Sequence, residues 1–148
     1  MRGEETAMND PFNLQRFLDA QEEDYACAIR ELREGRKQTH WMWYIFPQIA
    51  GLGHSSTARR YAIASREEAD AYLRHPLLGP RLIHCTELVN AVEGRTIREI
   101  LGSPDDVKFR SCMTLFACVA DGDSVFRRAL TKYFAGEEDG LTLERLNR

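Results

Sequence analysis

The chain has 148 residues, 43% of them apolar and 29% charged, the ordinary balance of a soluble globular protein with one core. Its formal net charge of -3, with acids and bases spread along the whole length, argues against an extended basic surface for duplex DNA or RNA and leaves room for a small cationic pocket. No apolar run nears the roughly 20 residues that span a bilayer, and MRGEETAMND lacks the apolar segment of an export signal. The expected location is therefore the cytoplasm, away from membranes. The four cysteines, Cys27, Cys85, Cys112 and Cys118, are then expected as reduced thiols that act as small buried hydrophobes. None forms a C-x-x-C pair and no His/Cys/carboxylate cluster has ligand spacing, so no metal site is expected and the sequence names no cofactor.

Residues 1–8 are expected to be a polar tail and residues 9–148 a single helical domain. Asn9-Asp10-Pro11 reads as a helix start, with a capping side chain and then proline at the first helical position. Apolar residues from Leu14 to Leu32 recur at helical spacing until Gly35, either as one long helix or as two pieces broken near Ala20–Glu22. Gln38 to Ser56 is irregular apart from a turn or two of helix at Trp41–Phe46, and Thr57–Ala64 is a short helix. Ser65-x-x-Glu68 is a capping-box pattern opening a helix to Leu73. His75-Pro76 restarts the chain, and a stripe from Leu77 to Val92 ends at Gly94. Thr96-x-x-Glu99 opens a one-turn piece that stops at Gly102. Asp105 to about Ala120, Ser124–Ala135 and Leu141–Leu146 complete the helices. No polar/apolar alternation flanks a hairpin turn, so the predicted fold is all-α, with helices of unequal length packed at varied angles.

Two stretches stand out. HWMWYIFPQIAGLG holds two tryptophans, a tyrosine and a phenylalanine within six residues. A helix through it would be apolar all round: Trp41, Tyr44 and Ile45 on one side, Met42 and Phe46 on another, Trp43 on a third. Core packing explains such rings. The wall of a binding pocket explains also why His40 and Gln48 flank them and why Pro47 and Gly51 to Gly53 turn the backbone sharply. The Gly51-Leu52-Gly53-His54-Ser55-Ser56-Thr57 stretch leading to Arg59 and Arg60 is either an ordinary capped helix start or a phosphate nest. The second stretch, SPDDVKFRSCMTLFACVAD, leaves little circumference for water, yet Asp105, Lys108 and Arg110 are built into its beginning. Asp105 and Lys108 form an i,i+3 ion pair on one reading. On the other, Lys108 and Arg110 hold an anion, with Ser111 and Thr114 as hydroxyl donors.

These two stretches, with DPFNLQRFLDAQ and EADAYLRHPLLGPRL, resemble the bacterial family catalogued as domain of unknown function 1810 from about Asn9 to Phe134. The resemblance implies a compact, mainly helical domain and no established activity. More distantly, the order of aromatic block, middle helix and late Asp/Lys/Arg/Met helix is similar to the riboflavin-intermediate N-glycosidase and ADP-ribose-processing superfamily. That likeness points towards nucleotides and carries over no residue.

Two functional readings follow. In the first, an aromatic-lined pocket binds or hydrolyses a small anionic, nucleotide-like molecule such as ADP-ribose or an N-glycoside. His40 and Asp105 are the candidate acid, base or cation-stabilising groups, and Trp41, Trp43, Tyr44, Gln48, Gly53, Ser55, Lys108, Arg110 and Ser111 are the candidate ligand contacts. In the second, the domain is a non-catalytic interaction module whose aromatic block is core or a partner groove. Convergence of His40, Gln48 and Lys108 or Arg110 in one concavity favours the first.

Overall fold

A computed structural model describes residues 10–147. Among them are nine helices: α1 Gln15–Arg33, α2 Met42–Ile45, α3 Ser56–Arg60, α4 Arg66–Arg74, α5 Leu78–Ala91, α6 Ile97–Leu101, α7 Asp105–Val119, α8 Val125–Phe134 and α9 Gly140–Leu146. The chain is all-α, and one isolated parallel bridge, Ile49 to Ile63, is the extended pairing among the described residues.

The first helix begins later than its sequence signal. Asn9 lies outside the described residues, and Pro11 sits in a turn rather than at the first helical position. Asp10 supplies the start: its carboxylate accepts from the N–H groups of Leu14 and Gln15, which would otherwise be orphaned at the helix end. From there α1 runs unbroken past Ala20–Glu22 to Arg33. The Thr96/Glu99 capping box forms as expected. The Ser65 pattern forms by half, because Glu68 turns its carboxylate to Ala64 N and to Arg16 instead of to Ser65 N. The start of α5 is capped by His75, whose Nδ1 accepts from Leu77 N and Leu78 N. Burial holds that imidazole below its usual pKa, with Arg81 pushing the same way and Asp10 opposing.

α7 is the central element. Phe109 and every residue from Ser111 to Ala117 are buried, and α4, α6, α8 and α9 all pack on it. Its aromatic rings join others into a chain through the core. Phe109 meets Phe46 edge-on at 5.0 Å, Phe116 lies 5.4 Å from Tyr72 and 5.7 Å from Phe126, and Tyr72 meets Phe17 at 5.0 Å. Such pairs contribute about 0.5–1.5 kcal/mol each beyond their buried area. Trp41, Phe46, Phe109, Met113 and Phe116, from the two stretches without a broad polar face, are all buried.

Two buried carboxylates fix the loops around this core. Glu68 anchors Arg16, which also donates to the carbonyls of Phe12, Asn13, Arg60 and Ala62 and so ties the α3–α4 connection to α1. Glu31 gathers Gln38 N, Thr39 N, the Thr39 hydroxyl, the Cys27 thiol and Trp41 Nε1. After α2, Gln48 and Ala50 pair with Ile63: Ile63 N donates to Gln48 O and Ala50 N to Ile63 O, both at 2.8 Å. The Gly51–Ser55 turn therefore hangs from a fixed base, beside the first turns of α7.

Candidate functional site

The aromatic block divides as its helical rotation suggests. Trp41 is fully buried, with its N–H on Glu31 Oε1 at 2.9 Å and Lys37 over its ring at 5.1 Å. Tyr44 is buried against Tyr61 and donates its hydroxyl to Asp24 and to the carbonyl of His40. Burial, then the Asp24 hydrogen bond, raises the Tyr44 phenol well above its usual pKa. Trp43 is half-exposed, with Lys108 Nζ 5.6 Å from its ring.

Trp43 looks into a cavity of about 140 Å³ whose walls include Phe46, Gln48, Gly51, Gly53, Arg59, Tyr61 and Lys108. A second cavity of about 210 Å³ adjoins it, walled by Gln48, Leu52, Gly53, Val107, Lys108, Ser111, Asp139 and Leu141. Gln48, Gly53 and Lys108 belong to both, so the two chambers meet there. Each is smaller than the roughly 300–1,000 Å³ of ordinary ligand pockets, and a ligand of that size would use both.

Gly53 has to be small: a Cβ built there lies 2.7 Å from Ala58 Cβ, so the turn could not approach α3 this closely with any side chain. The Gln48 amide has no hydrogen-bond partner among the described residues, although its main chain is pinned by Ile63. Lys108 stands 3.8 Å from Asp105, which is engaged more closely by Lys37 at 2.9 Å. Arg59 has neither ion pair nor side-chain hydrogen bond among the described residues. In the second chamber Asp139 is held by one oxygen. Its Oδ2 accepts from Ser111 Oγ at 3.0 Å and from Thr142 N and Oγ at 3.2 and 2.5 Å, while Oδ1 has no partner among the described residues.

Of the candidates read from the sequence, Trp43, Gln48, Gly53, Lys108 and Ser111 share this cleft. Six lie outside it. His40 is exposed and uses its carbonyl alone. Asp105 is occupied by two lysines. Trp41 and Tyr44 belong to the core, and Ser55 caps α3 by accepting from Ala58 N. Arg110 points away, its guanidinium bound by the carbonyls of Glu137 and Glu138 and set against the Phe134 ring. The reason is rotation: two residues along a helix are about 200° apart, so Lys108 and Arg110 cannot face one pocket, whereas Lys108 and Ser111 can.

The sequence pattern of the family described as "Protein of unknown function (DUF1810)" matches residues 11–146. The chain belongs to this family. Comparison with curated proteins gives no match. Among solved structures, this DUF1810 chain is similar to the conserved hypothetical protein Rv1873 from Mycobacterium tuberculosis, with 55% identity, a TM-score of 0.92, and coverage of 94% of this chain and 99% of that one. No helix among the described residues is long and apolar enough to cross a membrane.

Three cleft residues of this DUF1810 chain were missed in its sequence. Arg59 comes from α3 and Tyr61 from the residue that ends it, where the Arg59-Arg60 pair was visible but not its direction. Asp139 looks like a plain helix cap in EEDGLTLE, and its free oxygen is a product of the packing of α9 on α7.

Proposed function

We propose that the cleft binds a small anionic, ring-bearing molecule of the nucleotide kind, with ADP-ribose and N-glycosides as the class of ligand. One observation carries this reading: the half-exposed Trp43 ring, the uncommitted Gln48 amide and the loosely paired Lys108 come together where the two chambers join. A ring stacked against Trp43 or Tyr61 would supply contact area, and Lys108 with Arg59 would supply charge-assisted hydrogen bonds to phosphate. Hydrolysis of a glycosidic bond would need a carboxylate in the cleft, and Asp139 is the one that lines it.

The test is a thermal-shift screen of nucleotides, dinucleotides and nucleosides, followed by calorimetric titration of the best ligand into the Lys108→Ala protein. A ligand at 100 times its Kd stabilises the fold by about 2.7 kcal/mol, a shift that such a screen detects. The reading requires a hit whose affinity falls in Lys108→Ala. The second reading, a protein-interaction module, draws on Val107 and Leu141, which are 59% and 62% exposed at the mouth of the second chamber. A screen without any hit would favour it.

A further inference from the structure

Building on the reading above, we propose that Arg145 of α9 is a third anion-holding residue of this cleft, and that its ligand is a polyanion of the phosphoryl or pyrophosphoryl class rather than a monocarboxylate.

The argument starts at Gly51. This residue lines the first chamber and has φ +98°, a conformation that disfavours any side chain. A Cβ built on it would lie 2.6 Å from Arg145 Cζ and 2.9 Å from Nε and Nη1. The guanidinium thus occupies the space that a side chain at position 51 would take, next to a residue that lines the chamber. Most arginines that the fold uses structurally have acceptors. Arg16 has Glu68 and four carbonyls, Arg110 has Glu137 and Glu138, and Arg127 and Arg128 have Glu138 and Asp123. Arg145 has no ion pair or side-chain hydrogen bond among the described residues, and the same is true of Arg59 across the turn.

Arg59, Lys108 and Arg145 therefore lie around the Gly51–Gly53 turn, and the ion pair that the described residues offer them is that of Lys108 with Asp105 at 3.8 Å, an acid that Lys37 engages more closely. Cation excess is local, since the whole chain carries -3. One carboxylate would match one of these cations. A phosphoryl group carries roughly 1.5–2 negative charges and several acceptor oxygens, and planar guanidinium forks suit it. α9 itself is held to α7 in part by polar contacts, Asp139 N donating to Thr114 Oγ1 and Ser111 Oγ donating to Asp139 Oδ2, with Leu141 left in solvent. A polyanion that engages Arg145 would fasten α9 from its other end.

The experiment titrates inorganic pyrophosphate, orthophosphate, acetate and adenosine separately into the full chain at low salt, in wild type and in Arg145→Gln, Arg145→Lys and Lys108→Gln. Arg145 is exposed, so its variants are expected to unfold at the wild-type temperature. Pyrophosphate is expected to bind tightest and acetate not measurably. Arg145→Gln should weaken pyrophosphate about tenfold, the size of one charge-assisted hydrogen bond, and Arg145→Lys should recover part of it. Amide exchange in α9 should slow on adding pyrophosphate to wild type and not to Arg145→Gln. Wild-type affinity for pyrophosphate in Arg145→Gln, with a loss in Lys108→Gln, would make Arg145 an ordinary surface arginine while leaving the proposed cleft intact. Acetate binding as well as pyrophosphate would overturn the polyanion class. So would adenosine binding to wild type with no measurable binding of pyrophosphate, although the aromatic cleft would survive. Silence from all four probes would overturn the polyanion proposal, while a hit in the nucleotide screen would still uphold the cleft.

Discussion

Trp41 and Trp43 stand two residues apart and face opposite fates. Trp41 lies in a closed polar network: its N–H, two backbone N–H groups and a hydroxyl all end on Glu31. Burial alone would raise the Glu31 carboxyl, but the N–H groups of Gln38 and Thr39, the Thr39 hydroxyl and the Cys27 thiol outweigh it and bring it down to about 2. Trp43 lies in an open one, beside a lysine with a distant acid and a glutamine amide with no partner among the described residues. A polar group whose bonds are complete stabilises the fold and has nothing left for a ligand. A polar group left open beside a ring contributes little to stability and is available for recognition.

The largest expected effect tests the closed side. Trp41→Ala should destabilise the protein by about 3–5 kcal/mol, read from urea unfolding. A cost below about 1 kcal/mol would mean that the ring is not core. Glu31→Ala comes next. It strips the buried Trp41 N–H of its acceptor, at about 1–3 kcal/mol, while water can reach Gln38 and Thr39. The same carboxylate sets a pH dependence. Its folded pKa is depressed from 4.5 to about 2, so its contribution is complete above pH 4.5 and is lost as pH falls towards 2. Unfolding of wild type and Glu31→Ala between pH 5 and 2 should converge, and parallel curves would remove Glu31 from this role.

The open side should respond the other way. Trp43→Ala is expected to cost about 1 kcal/mol or less in stability, and Lys108→Ala to stay within about 0.5 kcal/mol of wild type. Both should lower the affinity of whichever ligand the screen finds by at least about tenfold. A stability loss at Trp43 equal to that at Trp41 would erase the distinction between the two rings. The smallest effect is assigned to His40→Ala, which should change neither stability nor affinity, because this side chain is exposed and lines neither chamber. Loss of ligand affinity in that variant would return His40 to the site.

Much of the fold was legible because helix signals are local. Thr96 and Glu99 cap one another three residues apart, and the density of apolar residues between Phe109 and Ala117 marks a central helix without reference to anything distant. The lining of the proposed cleft was legible in part. Gln48 and Lys108 do meet, and Trp43 was the ring set apart by rotation. Arg110 and His40 lie outside the proposed cleft. Being near an apolar segment in sequence says nothing about direction, and a two-residue step on a helix reverses it.

The sequence by itself determined the all-α class, the helix order and the core aromatics, because periodicity and capping act over a few residues. It could not decide which polar groups would be satisfied. Lys37 reaching Asp105, Glu137 and Glu138 claiming Arg110, Asp139 settling on Ser111 and Arg145 lying against Gly51 are all contacts between distant segments. Only the packed chain brings those partners within hydrogen-bond reach, and hydrogen bonds are sensitive to tenths of an ångström where hydrophobic burial is not. The tertiary structure therefore chose which of the charged and polar residues became scaffold and which were left facing the cleft.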